Sequence, residues 1–151
     1  MLINFEVPGE ARGKGRPRFR RVGNYVQTYT PDETVSYENL VRLSYKEKYG
    51  DYIFPADVPL CMTLSIYLPI PKSVSNKKRK QMINGELMPL KKPDSSNVLK
   101  AIEDGLNKVA YADDTQIILT TVQRMYGERP RVSVWLWEYE PHIYTKGEHD
   151  G

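Results

Sequence analysis

The sequence predicts a single α+β domain whose mixed, largely antiparallel sheet packs with helices. The chain has 151 residues, of which 40% are hydrophobic and 27% charged, as expected for one globular domain with one core. Segments with strand and helix periodicity interleave along it. Two long strand patterns near the end are joined by a short turn, which favours antiparallel pairing over a doubly wound sheet. We expect the domain to span residues 1–140 and a polar tail to span 141–151.

The N-terminal third contains two short strand patterns and one helix pattern. Residues 1–7 alternate like a strand. Residues 8–24 contain four glycines and two prolines, which predicts a long irregular loop. A second strand is expected over residues 25–30. A helix should run from Pro31 to Lys48, because Thr30 can cap it and proline suits the first helical position.

The clearest strand pattern covers residues 59–70. One face of this strand carries five large apolar residues, namely Leu60, Met62, Leu64, Ile66 and Leu68. Cys61, the single cysteine, lies on the opposite face. It has no partner for an internal disulfide, so we expect a buried core thiol.

The second half of the chain is predicted to hold two helices and a hairpin. A short basic helix should occupy residues 72–85 and end at Asn84-Gly85, and a central helix should run from about Ser96 to Lys108. Residues 116–126 and 131–139 both have strand composition. The Gly127-Glu128-Arg129-Pro130 link between them predicts that they pair as a hairpin.

The charge of the chain is small overall but unevenly distributed. The net charge is +3, yet residues 12–21 contain six basic residues and no acid, and acids gather between residues 94 and 114. Such a pattern suits the binding of a polyanion. No apolar run approaches the ~18 residues that span a bilayer, and the N-terminus lacks a signal-peptide pattern. We therefore expect a cytoplasmic protein without membrane contact.

The central helix has Asp94 just before it and the pair Asp113-Asp114 just after it. In one interpretation these residues are structural: Asp94 caps the helix, Lys100 and Asp104 form an i,i+4 pair, and the aspartate pair makes a turn. In the other, the carboxylates hold magnesium for phosphodiester cleavage, and a nearby lysine neutralises developing negative charge. The pattern alone leaves both open.

The segment PDSSNVLKAIEDGLNKVAYADDTQI resembles the signature of the RusA family of Holliday junction resolvases. That signature is approximately P-D-x-D-N-x-x-K-A-x-x-D-x-L-N-x-x-x-x-x-D-D-x-Q-I. Twelve residues match it in order and spacing: Pro93, Asp94, Asn97, Lys100, Ala101, Asp104, Leu106, Asn107, Asp113, Asp114, Gln116 and Ile117. The upstream GKGRPRFRR and Tyr29-Thr30-Pro31 are similar to family members from phages and prophages.

The resemblance implies a RusA-like fold and a magnesium-dependent endonuclease, with manganese able to substitute. It implies a homodimer that makes paired nicks in four-way DNA junctions during recombination and repair. A two-fold dimer suits the near two-fold symmetry of a junction. In this chain Asp94 matches the first metal-binding acid and Asp114 the acid of the following loop, with Asp113 beside it. Lys100 matches the catalytic lysine.

Ser96 departs from the signature, which has an acid at that position. Three interpretations follow. Asp104 or Asp113 supplies the missing ligand, or the site binds metal weakly but still cuts, or the chain binds junctions without cutting. Alternatively, the Ser95-Ser96 pair simply begins the helix, since serine is a good N-cap. A nuclease acting on a broader range of branched DNA is a further alternative.

The basic segment GKGRPRFRR is expected to contact DNA phosphates, because arginine forks suit phosphate oxygens. The candidate contacts are Lys14, Arg16, Arg18, Arg20 and Arg21. Phe19 would stack on an exposed base or wedge at the branch. The alternative is a solvated loop without a partner.

Two further features each have two interpretations. The basic run at residues 76–80 would either touch flanking DNA or form an ordinary solvated surface. Trp135 and Trp137 share one face of the last strand. We expect them to pack in the core or between two copies of the chain, and base stacking is the alternative.

Overall fold

A computed structural model describes residues 1–29 and 31–141. Thr30, the expected helix cap, and residues 142–151 of the expected tail lie outside this part. The elements in chain order are β1 (Leu2–Pro8), β2 (Arg18–Val22), β3 (Tyr25–Tyr29), α1 (Asp32–Tyr49), β4 (Leu60–Pro69), α2 (Asn76–Ile83), α3 (Ser95–Leu106), a 3-10 turn (Asp114–Gln116), β5 (Ile117–Gly127) and β6 (Arg131–Glu138).

The main sheet has the strand order β1-β6-β4-β5. Strand β6 is antiparallel to both β1 and β4, whereas β5 runs parallel to β4. The segment between β4 and β5 contains α2 and α3, and a parallel pair needs such a crossover. The predicted α+β class with a mixed, largely antiparallel sheet is confirmed.

The predicted pairing of the last two strands is wrong, because β4 lies between β5 and β6. Gly127 pairs with Pro69 and Arg131 pairs with Tyr67, so the link at residues 128–130 passes the end of β4. Two strand spacings are ~10 Å, which three linking residues can bridge. The apolar pattern of β4 explains its central position, since burial there favours a strand that is apolar along its length.

One face of the sheet carries the core. Helix α1 packs against β1 and α3, and α3 also contacts β5. A methyl group added to Gly105 would lie 3.0 Å from Cβ of Val41, so the glycine permits the close crossing of α3 and α1. The sheet residues of this core are Ile3, Phe5, Val7, Leu60, Met62, Leu64, Ile66, Leu68, Val132, Val134 and Leu136. Cys61 is free and buried, as predicted.

The predicted irregular loop over residues 8–24 is partly wrong, because Arg18–Val22 forms β2 and pairs with β3. The two strands are antiparallel and joined through Gly23, whose φ of 60° suits glycine in a tight turn. Every residue of both strands is exposed. The segment therefore lacks the buried, alternating apolar residues by which a strand is recognised in sequence. We call β2 and β3 together the basic hairpin.

No helix in residues 1–29 and 31–141 is both long and apolar enough to cross a membrane.

Candidate active site

The first acid of the signature stands at the start of α3. Asp94 is the N-cap, and its carboxylate accepts a hydrogen bond of 3.3 Å from the Asn97 N–H. The segment just before it is tied to β5, because the Arg124 guanidinium donates to the carbonyl oxygens of Lys91 (2.7 Å) and Pro93 (3.2 Å). Arg124 therefore fixes the approach to Asp94. An isolated arginine in a strand pattern gave no sequence signal for this role.

The second acid group lies in the loop before β5, and Gln116 holds that loop. Its side-chain oxygen accepts hydrogen bonds from the N–H groups of Ala112 (2.9 Å) and Asp113 (3.1 Å). Its amide donates to the carbonyl oxygens of Pro55 (2.9 Å) and Val58 (3.1 Å). The sequence matched Gln116 to the signature but assigned it no role.

Lys100 joins the two acid regions. Its ammonium lies 3.2 Å from Oδ1 of Asp104, one turn along α3, and 3.7 Å from Oδ2 of Asp114 in the loop. Two of the residues that the resemblance selects, Lys100 and Asp114, are thus in contact although they come from different elements. The hydrogen bond to Asp104 is the main reason that the pKa of Lys100 is raised, so the side chain is a cation at neutral pH.

Asp104 has a cation on each carboxylate oxygen. Oδ1 faces Lys100, and Oδ2 lies 3.0 Å from the ammonium of Lys14. Lys14 also contacts Glu38 on α1. We call Lys14, Glu38, Lys100, Asp104 and Asp114 the charge network.

Glu103 lies beside this network and was not singled out by the sequence. Burial raises the pKa of its carboxyl, and the negative charge of Asp114 adds to the shift. The neighbouring backbone is fixed by Tyr111, whose hydroxyl donates 2.7 Å to the Glu103 carbonyl oxygen. Glu103 is flanked by the buried Ile102 and the charged Asp104, so its partial burial follows from the packing of α3 and not from a motif.

The acids of the described residues do not form a group of three that would surround a metal ion. Asp113 caps the 3-10 turn, and its carboxylate accepts a hydrogen bond of 3.4 Å from the Thr115 N–H. Magnesium commonly takes one or two carboxylates and completes its shell with water and phosphate oxygens. The adjacent Asp113 and Asp114 carboxylates fit that pattern.

Ser96 is exposed in the first turn of α3. The helix begins at Ser95 and is capped by Asp94, so neither serine is the cap. The position that carries an acid in the signature therefore adds no charge to the site.

The basic hairpin projects its side chains into solvent. The Arg20 guanidinium donates a hydrogen bond of 3.1 Å to the Gln27 side-chain oxygen and lies 5.6 Å from the ring centroid of Tyr29. Side-chain contacts therefore connect the two strands on one face. Arg18 pairs with Tyr29 on that face, whereas Phe19 and Arg21 point to the other. Phe19 is 70% exposed. Arg16, just before the hairpin, is exposed as well.

The sheet face opposite the core carries the two tryptophans. Trp135 is 38% exposed, and Met1 and Leu2 beside it are exposed as well. With Thr63 and Trp137 they line a shallow cavity of about 590 Å³. The tryptophans therefore lie outside the core of the single chain.

The chain is similar to known proteins over almost its whole described length. A Bacillus subtilis (strain 168) protein with the name Uncharacterized protein YqaN is 36% identical over 138 residues, which cover 90% of this chain and 96% of that protein. Residues 8–136 match the family described as Endodeoxyribonuclease RusA. That range contains the basic hairpin, the charge network and both acid regions. The chain therefore belongs to the RusA family of endodeoxyribonucleases.

Proposed function

We propose that this protein is a magnesium-dependent, structure-selective endonuclease that resolves four-way DNA junctions by paired symmetric nicks. The observation that carries the proposal is the contact between Lys100 and Asp114, 3.7 Å apart, at a loop that also holds Asp113. A cation and carboxylates from separate elements meet here at the surface, where a DNA strand can reach them.

Asp113 and Asp114 would hold the magnesium ion directly, and Asp94 at the start of α3 would contact a water molecule of the ion's shell. Bound there, the ion would activate a water molecule and neutralise phosphate charge, and manganese can take the same oxygen ligands. Lys100 would donate to a non-bridging phosphate oxygen as negative charge builds up. Gln116 and Arg124 would keep the two acid regions in place through their hydrogen bonds to backbone.

The basic hairpin would bind the DNA backbone. Arg16, Arg18, Arg20 and Arg21 supply exposed guanidinium groups, and the hairpin carries no acid. Guanidinium forks match phosphate oxygens, and such contacts position a protein without reading sequence. Phe19 would stack on a base at the branch point, where bases are accessible.

Paired nicks require two sites, so we propose a homodimer. The support is the exposed apolar area around Trp135, Met1 and Leu2 on the open face of the sheet. A second copy placed there would bury side chains that water otherwise contacts.

Ser96 favours one alternative, a junction-binding protein with weak or absent cleavage, because one negative charge is missing where a cation must bind. Replacing Ser96 with aspartate would restore that charge. A gain in cutting at low magnesium concentration would show that the charge limits the natural chain.

The experiment that tests the proposal is a panel of labelled substrates with magnesium: a mobile four-way junction, a three-way junction, a flap and a linear duplex. We expect nicks at symmetric positions on the four-way junction. Equal cutting of every branched substrate would favour a broader branched-DNA nuclease. Cutting of the linear duplex at a similar rate would contradict structure selectivity.

A further inference from the structure

The backbone at Lys14 and Gly15 is hydrogen-bonded to both α3 and α1. The Lys14 N–H donates 3.0 Å to the carbonyl oxygen of Asn97 on α3, and the Gly15 N–H donates 3.0 Å to the hydroxyl oxygen of Thr34 on α1. A methyl group added to Gly15 would lie 2.6 Å from that hydroxyl oxygen. The glycine therefore allows the close approach, and the backbone of Lys14 cannot swing freely toward a ligand.

The side chain of Lys14 points into the protein and not into solvent. Its ammonium lies 2.5 Å from Oε1 of Glu38 and 3.0 Å from Oδ2 of Asp104. Only 26% of the side chain is exposed, against 12% for Glu38. Burial lowers the pKa of Lys14, but the two carboxylates outweigh it and the pKa is raised overall. The side chain is thus a charged group with both of its partners already in place.

Among the ion pairs of residues 1–29 and 31–141, only those of Lys14 join a carboxylate on α1 to one on α3. Without the Lys14 ammonium, the one remaining ion-pair partner of Glu38 among the described residues would be Arg42, whose guanidinium is 3.9 Å away. The one remaining cation beside Asp104 among the described residues would be Lys100, which Asp104 shares with Asp114. An Asp104 carboxylate with a single cation would draw Lys100 closer, and hence away from Asp114.

We propose that Lys14 is a positioning residue of the active site: it neutralises Asp104 and thereby leaves Lys100 within reach of Asp114, and it does not bind DNA phosphate. The role of Lys100 in this statement rests on the proposed function, whereas the ion pairs of Lys14 do not. The four arginines that follow in sequence remain the phosphate contacts.

The first test asks whether Lys14 contacts DNA. Junction affinity would be measured in EDTA over a range of salt concentrations for the natural chain, Lys14→Met and Arg20→Met. Each lost phosphate contact lowers the slope of log affinity against log salt by about 0.9. We expect that decrease for Arg20→Met and an unchanged slope for Lys14→Met. A decrease of the same size for Lys14→Met would overturn the proposal.

The second test measures the ion pair without any cutting. Unfolding by urea would be compared for Lys14→Met, Asp104→Asn and the double variant. We expect the double variant to be less destabilised than the sum of the single ones, since each single change leaves a charge unpaired. Additive effects would overturn the proposal. The pair Arg79→Met with Asp104→Asn is the matched control and should be additive, because Arg79 pairs with Glu128 and shares no partner with Asp104.

The third test links Lys14 to the reaction. If the natural chain cuts junctions, Lys14→Met should lower the turnover rate by ~10-fold or more at an unchanged junction affinity. Lys14→Arg, which retains the cation, should recover part of the rate. A Lys14→Met variant that cuts as fast as the natural chain would contradict the positioning role. A natural chain that cuts nothing would remove the proposed function and leave the first two tests valid.

Discussion

The side-chain amide of Gln116 donates a hydrogen bond of 2.9 Å to the carbonyl oxygen of Pro55, which is 61 residues away in sequence. The same side chain accepts hydrogen bonds from the two N–H groups that lead into the acid loop. One residue thus connects the loop that carries Asp113 and Asp114 to the loop that leads into β4.

Replacing Gln116 with alanine should destabilise the protein by about 1–2 kcal/mol, because backbone groups lose their partners. Cleavage should fall more strongly than this loss of stability explains, since the acid loop is no longer fixed. Urea unfolding and single-turnover cleavage would measure both effects. Gln123→Ala, at an exposed position on the following strand β5, is the control. Equal small effects at both positions would argue against a role for the Gln116 hydrogen bonds.

The basic hairpin should determine the salt dependence of junction binding. Changing Arg18, Arg20 and Arg21 together to glutamine should flatten the slope of log affinity against log salt by about 2–3, because each phosphate contact contributes ~0.9. Fluorescence anisotropy with a labelled junction in EDTA would measure it. Lys46→Gln on α1 is exposed and should leave the slope unchanged. A triple variant with the natural slope would exclude the hairpin as the phosphate-binding surface.

Glu103 should make the stability of the folded protein depend on pH. Burial raises the pKa of this carboxyl above its usual 4.5, so its protonated form is favoured by folding. Its contribution is fully present below pH 4.5 and is lost as the pH rises through the folded-state value. Glu103→Gln should therefore be a few tenths of a kcal/mol more stable than the natural chain at pH 7, given the partial exposure. Below pH 4 the two should be equal. A Glu103→Gln variant that is less stable than the natural chain at pH 7 would contradict a raised pKa of Glu103.

The open sheet face should control the oligomeric state. Trp135→Thr removes an exposed apolar side chain from the proposed interface and should shift the dimer toward monomer by at least tenfold in dissociation constant, because a buried tryptophan often dominates an interface. Sedimentation velocity over a concentration series would measure the shift. Leu43→Thr, at an exposed position of α1, is the control. A natural chain that is monomeric at all concentrations would rule out the homodimer.

The sequence predicted those parts of the fold whose signal is local. The alternating apolar residues of β4 and the central helix α3 are both found where the sequence pattern indicated them. The strand order was not predictable in the same way, since the turn between β5 and β6 favours a hairpin locally and only burial of β4 at the sheet centre overrides it. The site shows the same division. Asp94, Lys100 and Asp114 were selected by the resemblance to the RusA signature, whereas the contacts of Lys14 and Arg124 depend on tertiary packing.

A cation-assisted cut at the carboxylates beside Lys100 requires the charge of Asp114, so Asp114→Asn is the decisive variant. The natural chain and the variant would be incubated with a mobile four-way junction in magnesium, manganese or EDTA, and junction binding would be measured in parallel. We predict symmetric nicks by the natural chain with either metal, none in EDTA, and no cutting by the variant at an unchanged affinity. Undiminished cutting by Asp114→Asn, or cutting that persists in EDTA, would exclude a metal-dependent cut at this carboxylate.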